Sequence, residues 1–117
     1  QICYDLRFPV FARNVENYDL LIYVANWPKP RINAWDSLLK ARAIENMSYT
    51  IGVNRIGEDA NHLEYPGHSQ AFDYLGKTIV DCENELGVFI VELDKNIQQE
   101  TREKLNFLND RDDFEIR

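Results

Sequence analysis

Hydrophobic positions along the chain fall into short runs separated by turn residues, and their spacing predicts alternating strands and helices. Residues 18–25 are almost continuously apolar and rich in β-formers, which is typical of a central strand buried on both faces. Between about residues 34 and 47 the apolar positions recur at helical spacing and cover a broad face. Residues 48–54 are again β-branched and aromatic. This strand, helix, strand order predicts a parallel pair joined by a right-handed crossover.

Turn residues set the boundaries of this unit. Pro28 and Pro30 end the first strand and prescribe an extended loop, which is the kind of segment where ligands are met. Asn33 is placed to cap the helix, and Asp36 three residues later occupies the reciprocal position of a capping box. Residues 55–67 are polar and rich in turn formers, so we expect a functional or mobile loop there.

The second half of the chain is predicted to contain more β-structure and one further helix. Residues 69–82 predict a hairpin with a glycine in its turn, and residues 87–93 predict another strand. Asp94 or Asn96 can cap a last helix that reaches about Lys104. An irregular acidic arm follows over residues 109–117, and no repeat or linker suggests a second domain.

The first nine residues place a cysteine between an apolar strand end and a proline-opened turn. Pro9 suits the first position of a helix, so residues 8–14 are expected to be helical. Cys3 would then lie near free backbone N–H groups and a positive dipole end, which favour a thiolate or an oxyanion. A buried cysteine acting as a small hydrophobe is the alternative. Asp5 and Arg7 favour the reactive role, because a site that orients a nucleophile needs polar neighbours.

Charge and composition narrow the class of protein. The formal net charge is −7, and the 44% hydrophobic content is that of a globular domain. The acidic balance, without a basic stripe, argues against nucleic acid or an anionic membrane as partner. No apolar run is long enough to span a bilayer, and only Cys3 and Cys82 could pair, so we expect free thiols and a cytoplasmic setting.

Other catalytic arrangements find less support in the sequence. His62 and His68 could in principle activate a cysteine, but both lie in loops without a local signature and a solvated surface role is the alternative. They also lack metal-ligand spacing, and no glycine-rich phosphate loop is present, so we expect neither a metal nor a cofactor. Arg42 and Glu45 are three residues apart and form either a solvated ion pair or a buried one at the site.

Residues 2–9, Ile-Cys-Tyr-Asp-Leu-Arg-Phe-Pro, closely resemble the nucleophile motif of the nitrilase, or carbon–nitrogen hydrolase, superfamily. The likeness covers nearly the whole chain and weakens after about Lys104. It continues, in the family order, through residues 18–25, 26–28, Trp35, 41–46, 54–57 and 67–76. The Asn-Trp-Pro loop at 26–28 is most similar to omega-amidase-like members, which hydrolyse the terminal amide of small 2-oxo acid amides.

The resemblance implies a mechanism and a set of site residues. Cys3, activated by a glutamate base, would attack an amide or nitrile carbon, release ammonia and form a thioester that water hydrolyses. The backbone N–H of Tyr4 and a lysine ammonium would hold the oxyanion. Glu45 would support the site together with the polar pair after the cysteine, Asp5 and Arg7.

Residues of the loop after the first strand are the candidates for substrate contacts. Asn26 and Trp27 are the candidates for pocket contacts to a small amide, with a structural loop role as the alternative. Arg31 is either a contact for a substrate carboxylate or a solvated cation.

The resemblance also implies an α/β fold that forms the C-terminal half of a nitrilase-like α-β-β-α sandwich, a mixed sheet with two main helices. Residues 1–117 would be a single partial domain, because the family's base and lysine precede the cysteine. We therefore expect these residues alone to be inactive. An uncovered apolar sheet face should drive formation of a homo-oligomer. A non-catalytic binding or assembly module with the same fold is the alternative function.

Overall fold

A computed structural model describes residues 1–117 and contains six strands and two α-helices. The strands are β1 (Leu20–Ala25), β2 (Tyr49–Asn54), β3 (Ile56–Glu58), β4 (Glu64–Pro66), β5 (Gln70–Phe72) and β6 (Thr78–Asp81). The helices are α1 (Ile32–Asn46) and α2 (Lys95–Leu105). None of the helices combines the length and apolar character needed to cross a membrane.

The main sheet has four strands in the order β1-β2-β5-β6. Strands β1 and β2 are parallel and joined through α1, whereas β5 pairs antiparallel with both β2 and β6. The predicted parallel unit, the hairpin over residues 69–82 and the mixed α/β sheet with two main helices are therefore confirmed.

The hydrophobic core lies between this sheet and α1. Alternation along β1 directs Leu21 and Tyr23 to the helix, where they meet the fully buried Trp35 and Leu39. Gly52 makes this close approach possible, because a Cβ there would lie 2.6 Å from the Trp35 ring and would also strike Leu39. The spacing of α1 from β2 thus depends on a residue without a side chain.

The opposite face of the sheet is apolar and open. Leu20, Ile22 and Val24 of β1 and Val53 of β2 are exposed. The prediction that β1 is buried on both faces is therefore wrong for these residues. Strand β1 is also first in the sheet order rather than central, although Ile2 bridges to Val24 along its outer edge.

Helix α1 begins two residues earlier than the sequence indicates. A single 3₁₀ turn, Lys29–Arg31, leads directly into Ile32, and no side chain caps the helix. The prediction of Asn33 as the cap is wrong, because the helix begins at Ile32 and Asn33 lies within its first turn. The carboxylate of Asp36 instead accepts a hydrogen bond of 2.6 Å from Gln70 Nε2, which ties α1 to β5.

One loop prediction and one strand prediction also change. The segment 55–67 contains the two-stranded hairpin β3-β4 rather than an irregular loop. The strand predicted over residues 87–93 is absent, since no strand of this chain pairs with the segment. Leu86, directly before the segment, and Val88 and Ile90 within it are each at least 90% exposed. The β-type alternation is present, but hydrogen-bonding partners are not.

Helix α2 closes the end of the sheet where β1 and β2 begin. Of the two predicted candidates, Asp94 is its N-cap. The Asp94 carboxylate accepts hydrogen bonds from the backbone N–H groups of Asn96 and Ile97. From the helix, Arg102 donates to the carbonyl oxygens of Tyr18 and Met47, which precede the two strands. The carboxyl ends of the strands remain free of α2.

Candidate active site

Cys3 lies at a sharp turn beside the carboxyl end of β1. The N-terminal amine of Gln1 donates to Ile22 O at 3.1 Å, and Ile2 forms a parallel bridge with Val24, so the chain arrives in extended form. Cys3 then adopts φ = 43° and begins the 3₁₀ turn Cys3–Arg7. Left-handed conformations in residues other than glycine carry strain and cluster at functional sites.

The predicted elbow is present, but its helical part starts earlier than expected. The turn begins at Cys3 itself, and the expected helix over residues 8–14 is reduced to a second 3₁₀ turn, Pro9–Ala12. The first turn starts this early because the carboxylate of Asp5 accepts a 2.9 Å hydrogen bond from Ile2 N–H, while Asp5 N–H donates to Ile2 O. Asp5 therefore closes the turn around the cysteine.

Arg42 fixes the same turn from α1. Its side chain is 2% exposed, and its guanidinium donates through Nη2 to the carbonyl oxygen of Leu6 and through Nη1 to Glu45 Oε1 at 2.8 Å. The sequence left open whether this ion pair is solvated or buried. The structure combines the two, because Arg42 is buried while the Glu45 carboxylate is partly open to solvent. Glu45 thus reaches the cysteine turn only through Arg42, and neither Asp5 nor Glu45 contacts the thiol.

The backbone N–H of Tyr4 has no hydrogen-bond partner in the chain. It is the second residue of its turn, where N–H groups have no carbonyl available within the helix. The Tyr4 ring is exposed and packs edge to face on Phe8, with centroids 5.2 Å apart. A free N–H beside Cys3 is the donor that an oxyanion requires.

The loop after β1 forms the next wall of the site. Cys3 Sγ lies 3.8 Å from Asn26 O, a weak contact for a thiol donor. The Asn26 residue is exposed, whereas Trp27 is buried and belongs to the core. Asn54 anchors this loop: its Oδ1 accepts from Trp27 N–H at 2.7 Å, and its Nδ2 donates to Trp27 O.

Arg7 and Arg31 also meet this loop. The guanidinium of Arg7 lies 4.9 Å from the Trp27 ring centroid, a cation–π contact that joins the cysteine turn to the loop. The indole N–H of Trp27 donates to the backbone carbonyl of Arg31, whose side chain makes no ion pair. Trp27 therefore acts here as a packing element that holds the segment after β1.

A cavity of about 460 Å³ opens beside Cys3, at the carboxyl ends of the parallel strands β1 and β2. We call it the Cys3 cavity. Its lining consists of Ile2, Cys3, Val24, Ala25, Asn26, Val53, Asn54 and Arg55. Carboxyl ends of parallel strands are where α/β sheets bind ligands, and this volume suits a small molecule.

The two histidines and the second cysteine lie elsewhere. His62 is exposed and pairs with Glu58 at 2.7 Å, and His68 Nδ1 lies 3.1 Å from Asp36 Oδ1. Neither lines the Cys3 cavity, so the structure does not bring a histidine to the thiol. Burial raises the pKa of the Cys82 thiol, with Asp81 and Glu85 adding to the effect. No three histidine, cysteine or acidic side chains converge to hold a metal ion.

Sequence reasoning missed two residues of the site, Asn54 and Arg55. Both follow the last apolar residue of β2, and the parallel pairing of β1 with β2 brings them opposite the loop after β1. The available signal was positional, because polar residues at the ends of neighbouring parallel strands meet at one edge of a sheet. Arg42 was recognised as half of an ion pair, but not as the donor that holds Leu6.

Known proteins resemble this chain over most of its length. Residues 1–103 match the family model described as carbon-nitrogen hydrolase. Omega-amidase YafV of Escherichia coli K12 is 45% identical over 116 residues, covering 98% of this chain and 45% of that protein. The 2-oxoglutaramate amidase of Bacillus subtilis is 36% identical over 111 residues, covering 93% of this chain and 42% of that protein.

A solved structure shows the same fold. XC1258 of Xanthomonas campestris, a CN-hydrolase superfamily protein with an arsenic adduct in its active site, is 42% identical. It superposes with a TM-score of 0.95 over 99% of this chain and 47% of the other. The chain thus spans less than half the length of these relatives. As the motif around Cys3 predicted, the chain belongs to the carbon–nitrogen hydrolase family.

Proposed function

We propose that Cys3 is the nucleophile of a thiol amidase that cleaves the terminal amide of a small carboxylic acid amide. The observation that carries this proposal is the left-handed turn at Cys3, which places a thiol and a free N–H at the mouth of a cavity. The names of the similar proteins, an omega-amidase and a 2-oxoglutaramate amidase, support this substrate class.

The reaction follows from nucleophilic catalysis at an amide carbon. The Cys3 thiolate adds to the carbonyl carbon, and the oxyanion accepts a hydrogen bond from Tyr4 N–H. The carbon–nitrogen bond then breaks, and nitrogen leaves as ammonia after taking up a proton. Water attacks the resulting thioester, releasing the carboxylic acid and returning the thiol to Cys3.

These 117 residues supply the nucleophile without a general base or a lysine. The carboxylate of Asp5 is engaged by Ile2 N–H and that of Glu45 by Arg42, so neither is placed to take the thiol proton. No lysine lines the Cys3 cavity. We therefore propose that the base and the lysine come from other residues, and that residues 1–117 alone turn over no amide.

The surrounding residues have positioning roles in this proposal. Asp5, and Arg42 together with Glu45, hold the turn that aims the thiol, while Arg7 and Trp27 fix the loop after β1. The exposed side chain of Asn26 can reach a bound amide, whereas buried Trp27 would act on a substrate through the shape of the loop.

The test uses the full-length natural protein and measures ammonia release from glutaramate. Cys3→Ala is expected to lower kcat by on the order of 10³-fold or more, because the covalent route is lost. Cys82→Ala is the matched control and should leave kcat nearly unchanged. Mass spectrometry should also find Cys3 alkylated by iodoacetamide faster than the buried Cys82.

Two results would contradict the proposal. Equal activity of Cys3→Ala and the unmodified protein would remove Cys3 from the chemistry. Tight binding of glutaramate without any ammonia release would support the non-catalytic binding module instead.

A further inference from the structure

Arg55 is the only charged residue that lines the Cys3 cavity. It directly follows β2, and its backbone N–H donates to Ala25 O at 3.1 Å, so its position is fixed by the ladder between the parallel strands. The rest of the lining is apolar or consists of neutral polar groups and the thiol. Within these 117 residues, Arg55 is therefore the one charged side chain at the cavity that contains the nucleophile.

The guanidinium of Arg55 is held in place although it is exposed. Its Cζ atom lies 4.5 Å from the centroid of the Tyr65 ring, and Nη2 donates to Glu58 O at 3.1 Å. Such a stacked arginine loses little further freedom on binding an anion, because its planar fork is already oriented. The hairpin β3-β4 thus serves as a support for this side chain.

Tyr65 is itself fixed by hydrogen bonds within the hairpin. Its hydroxyl donates to Asp59 Oδ2 at 3.0 Å, and Asp59 Oδ1 accepts from the backbone N–H groups of Asn61 and Leu63. These hydrogen bonds lower the pKa of Asp59, and the bond from Leu63 contributes most. The charge of Arg55 contributes less. The Asp59 carboxylate is therefore ionised and committed to the hairpin.

Arg55 has no carboxylate partner of its own. No acidic oxygen lies within 4.0 Å of its guanidinium, in contrast to Lys29, Arg42 and Arg102, which are all paired. Of the guanidinium N–H groups, only one on Nη2 donates a hydrogen bond, to the backbone carbonyl of Glu58, which leaves donors free for a ligand.

The surroundings of Tyr65 raise the pKa of its phenol. Burial is the main cause, followed by the hydrogen bond and charge of Asp59, whereas the charge of Arg55 opposes the shift.

We infer that Arg55 binds the carboxylate of the substrate, so that the Cys3 cavity selects small amides whose far end carries a negative charge. This inference rests on the proposed amidase function and assigns the anion-binding group of that site. A guanidinium can form two parallel hydrogen bonds to a carboxylate, which adds orientation to attraction. One end of the substrate would then be held at Arg55 while its amide lies at Cys3.

The experiment compares two amides of equal length in the full-length natural protein. Glutaramate carries the carboxylate, and pentanamide replaces it with a methyl group. Arg55→Gln should lower kcat/KM for glutaramate by about 10- to 100-fold, as expected for loss of a charged hydrogen bond, and change that for pentanamide by less than about threefold. Arg55→Lys should lie between, since it keeps the charge and loses the fork.

Arg31→Gln is the matched control, because Arg31 is a second exposed and unpaired arginine near the same loop but outside the cavity. Arg31→Gln should leave kcat/KM unchanged for both amides. Thermal melting of each variant checks that folding is unchanged, and Arg55→Lys carries the test if Arg55→Gln does not fold.

The outcomes separate this inference from the proposed function. If the unmodified protein hydrolyses neither amide, the proposed function fails and the inference fails with it. If the unmodified protein is active and both Arg55 variants lower kcat/KM equally for the two amides, the proposed amidase function stands and the carboxylate role of Arg55 is overturned. A loss selective for glutaramate in Arg31→Gln rather than Arg55→Gln would also overturn it.

Discussion

The two faces of the main sheet differ although the same strands supply both. On one face Leu21 and Tyr23 meet Trp35 and Leu39 of α1, and all four side chains are buried. On the other face Ile22 and Val24 alternate with them along β1 and are exposed. The Cys3 cavity opens on this second side, since Val24 and Val53 line it.

This difference places the packed core and the proposed site on opposite sides of one strand pair. The helix-covered face has a closely packed core, with Gly52 allowing contact between backbone and helix side chains. The open face offers apolar surface of the kind that marks interaction sites. Substitutions on the two faces should therefore affect different measurements.

The largest effect is expected on the helix-covered face. Leu39→Ala should lower the free energy of unfolding by about 3 kcal/mol, because Leu39 is fully buried and its removal leaves a cavity. Ile44→Ala, on the same helix but half exposed, should cost less than about 1 kcal/mol. Urea unfolding followed by circular dichroism measures both. Equal costs would show that the packing of α1 on the sheet is not the main source of stability.

A smaller effect is expected on the open face, and it concerns association rather than folding. We expect the 117-residue chain to form homo-oligomers through this face, and Ile22→Glu should weaken the association at least about tenfold, or about 1.4 kcal/mol. Light scattering over a range of protein concentrations provides the measurement. Ile44→Glu changes a residue of similar exposure on α1, which covers the other face of the sheet, and should leave association unchanged. The reverse result would assign the contact to α1, and a compact monomer would remove the association itself.

The smallest effect is expected at the closed end of the sheet, where α2 meets Asp19. The hydrogen bond from Lys95, its charge and the Arg102 guanidinium hold the pKa of Asp19 below its usual value of 3.8. Folding is therefore stabilised by the ionised carboxylate above about pH 4, and this contribution is lost as the pH falls through the lower folded-state pKa.

Because the Asp19 side chain is partly exposed, the contribution should stay below about 1 kcal/mol. Unfolding free energies measured between pH 2 and 6 should show a smaller acid-side decrease in Asp19→Asn than in the unmodified protein. An unchanged slope would mean that other carboxylates account for the acid sensitivity of this end.

Local patterns predicted the elements whose partners lie nearby in the chain. The hairpin over residues 69–82 and the Asp94 cap depend on neighbouring residues, and both are confirmed. The strand over residues 87–93 was predicted from the same kind of pattern and is wrong, because a strand also needs a hydrogen-bonding neighbour. Likewise, the apolar run 18–25 shows that a surface is suited to burial without showing what covers it.

The candidate site was predictable where its residues form one contiguous motif. Residues 2–9 identified the family and the position of Cys3, which the comparison with known proteins supports at the level of the family. The roles of Cys3, Tyr4, Asp5, Arg7, Glu45, Asn26 and Trp27 stay predictions. The contribution of Arg42 to the Leu6 carbonyl was not predictable, since it joins residues 36 positions apart.

By itself, the sequence determined the strand, helix, strand unit, the cysteine motif and membership of the carbon–nitrogen hydrolase family, because each is written in local spacing or in a contiguous run of residues. Only the tertiary structure decided that one face of β1 is open. It also decided that the carboxylates of Asp5 and Glu45 accept hydrogen bonds from Ile2 N–H and Arg42. It also placed Arg55 and Cys3 in the lining of one cavity although 52 positions separate them in the sequence. Parallel pairing of β1 with β2 is the physical reason, since it brings the carboxyl ends of two strands, and the residues that follow them, to one edge of the sheet.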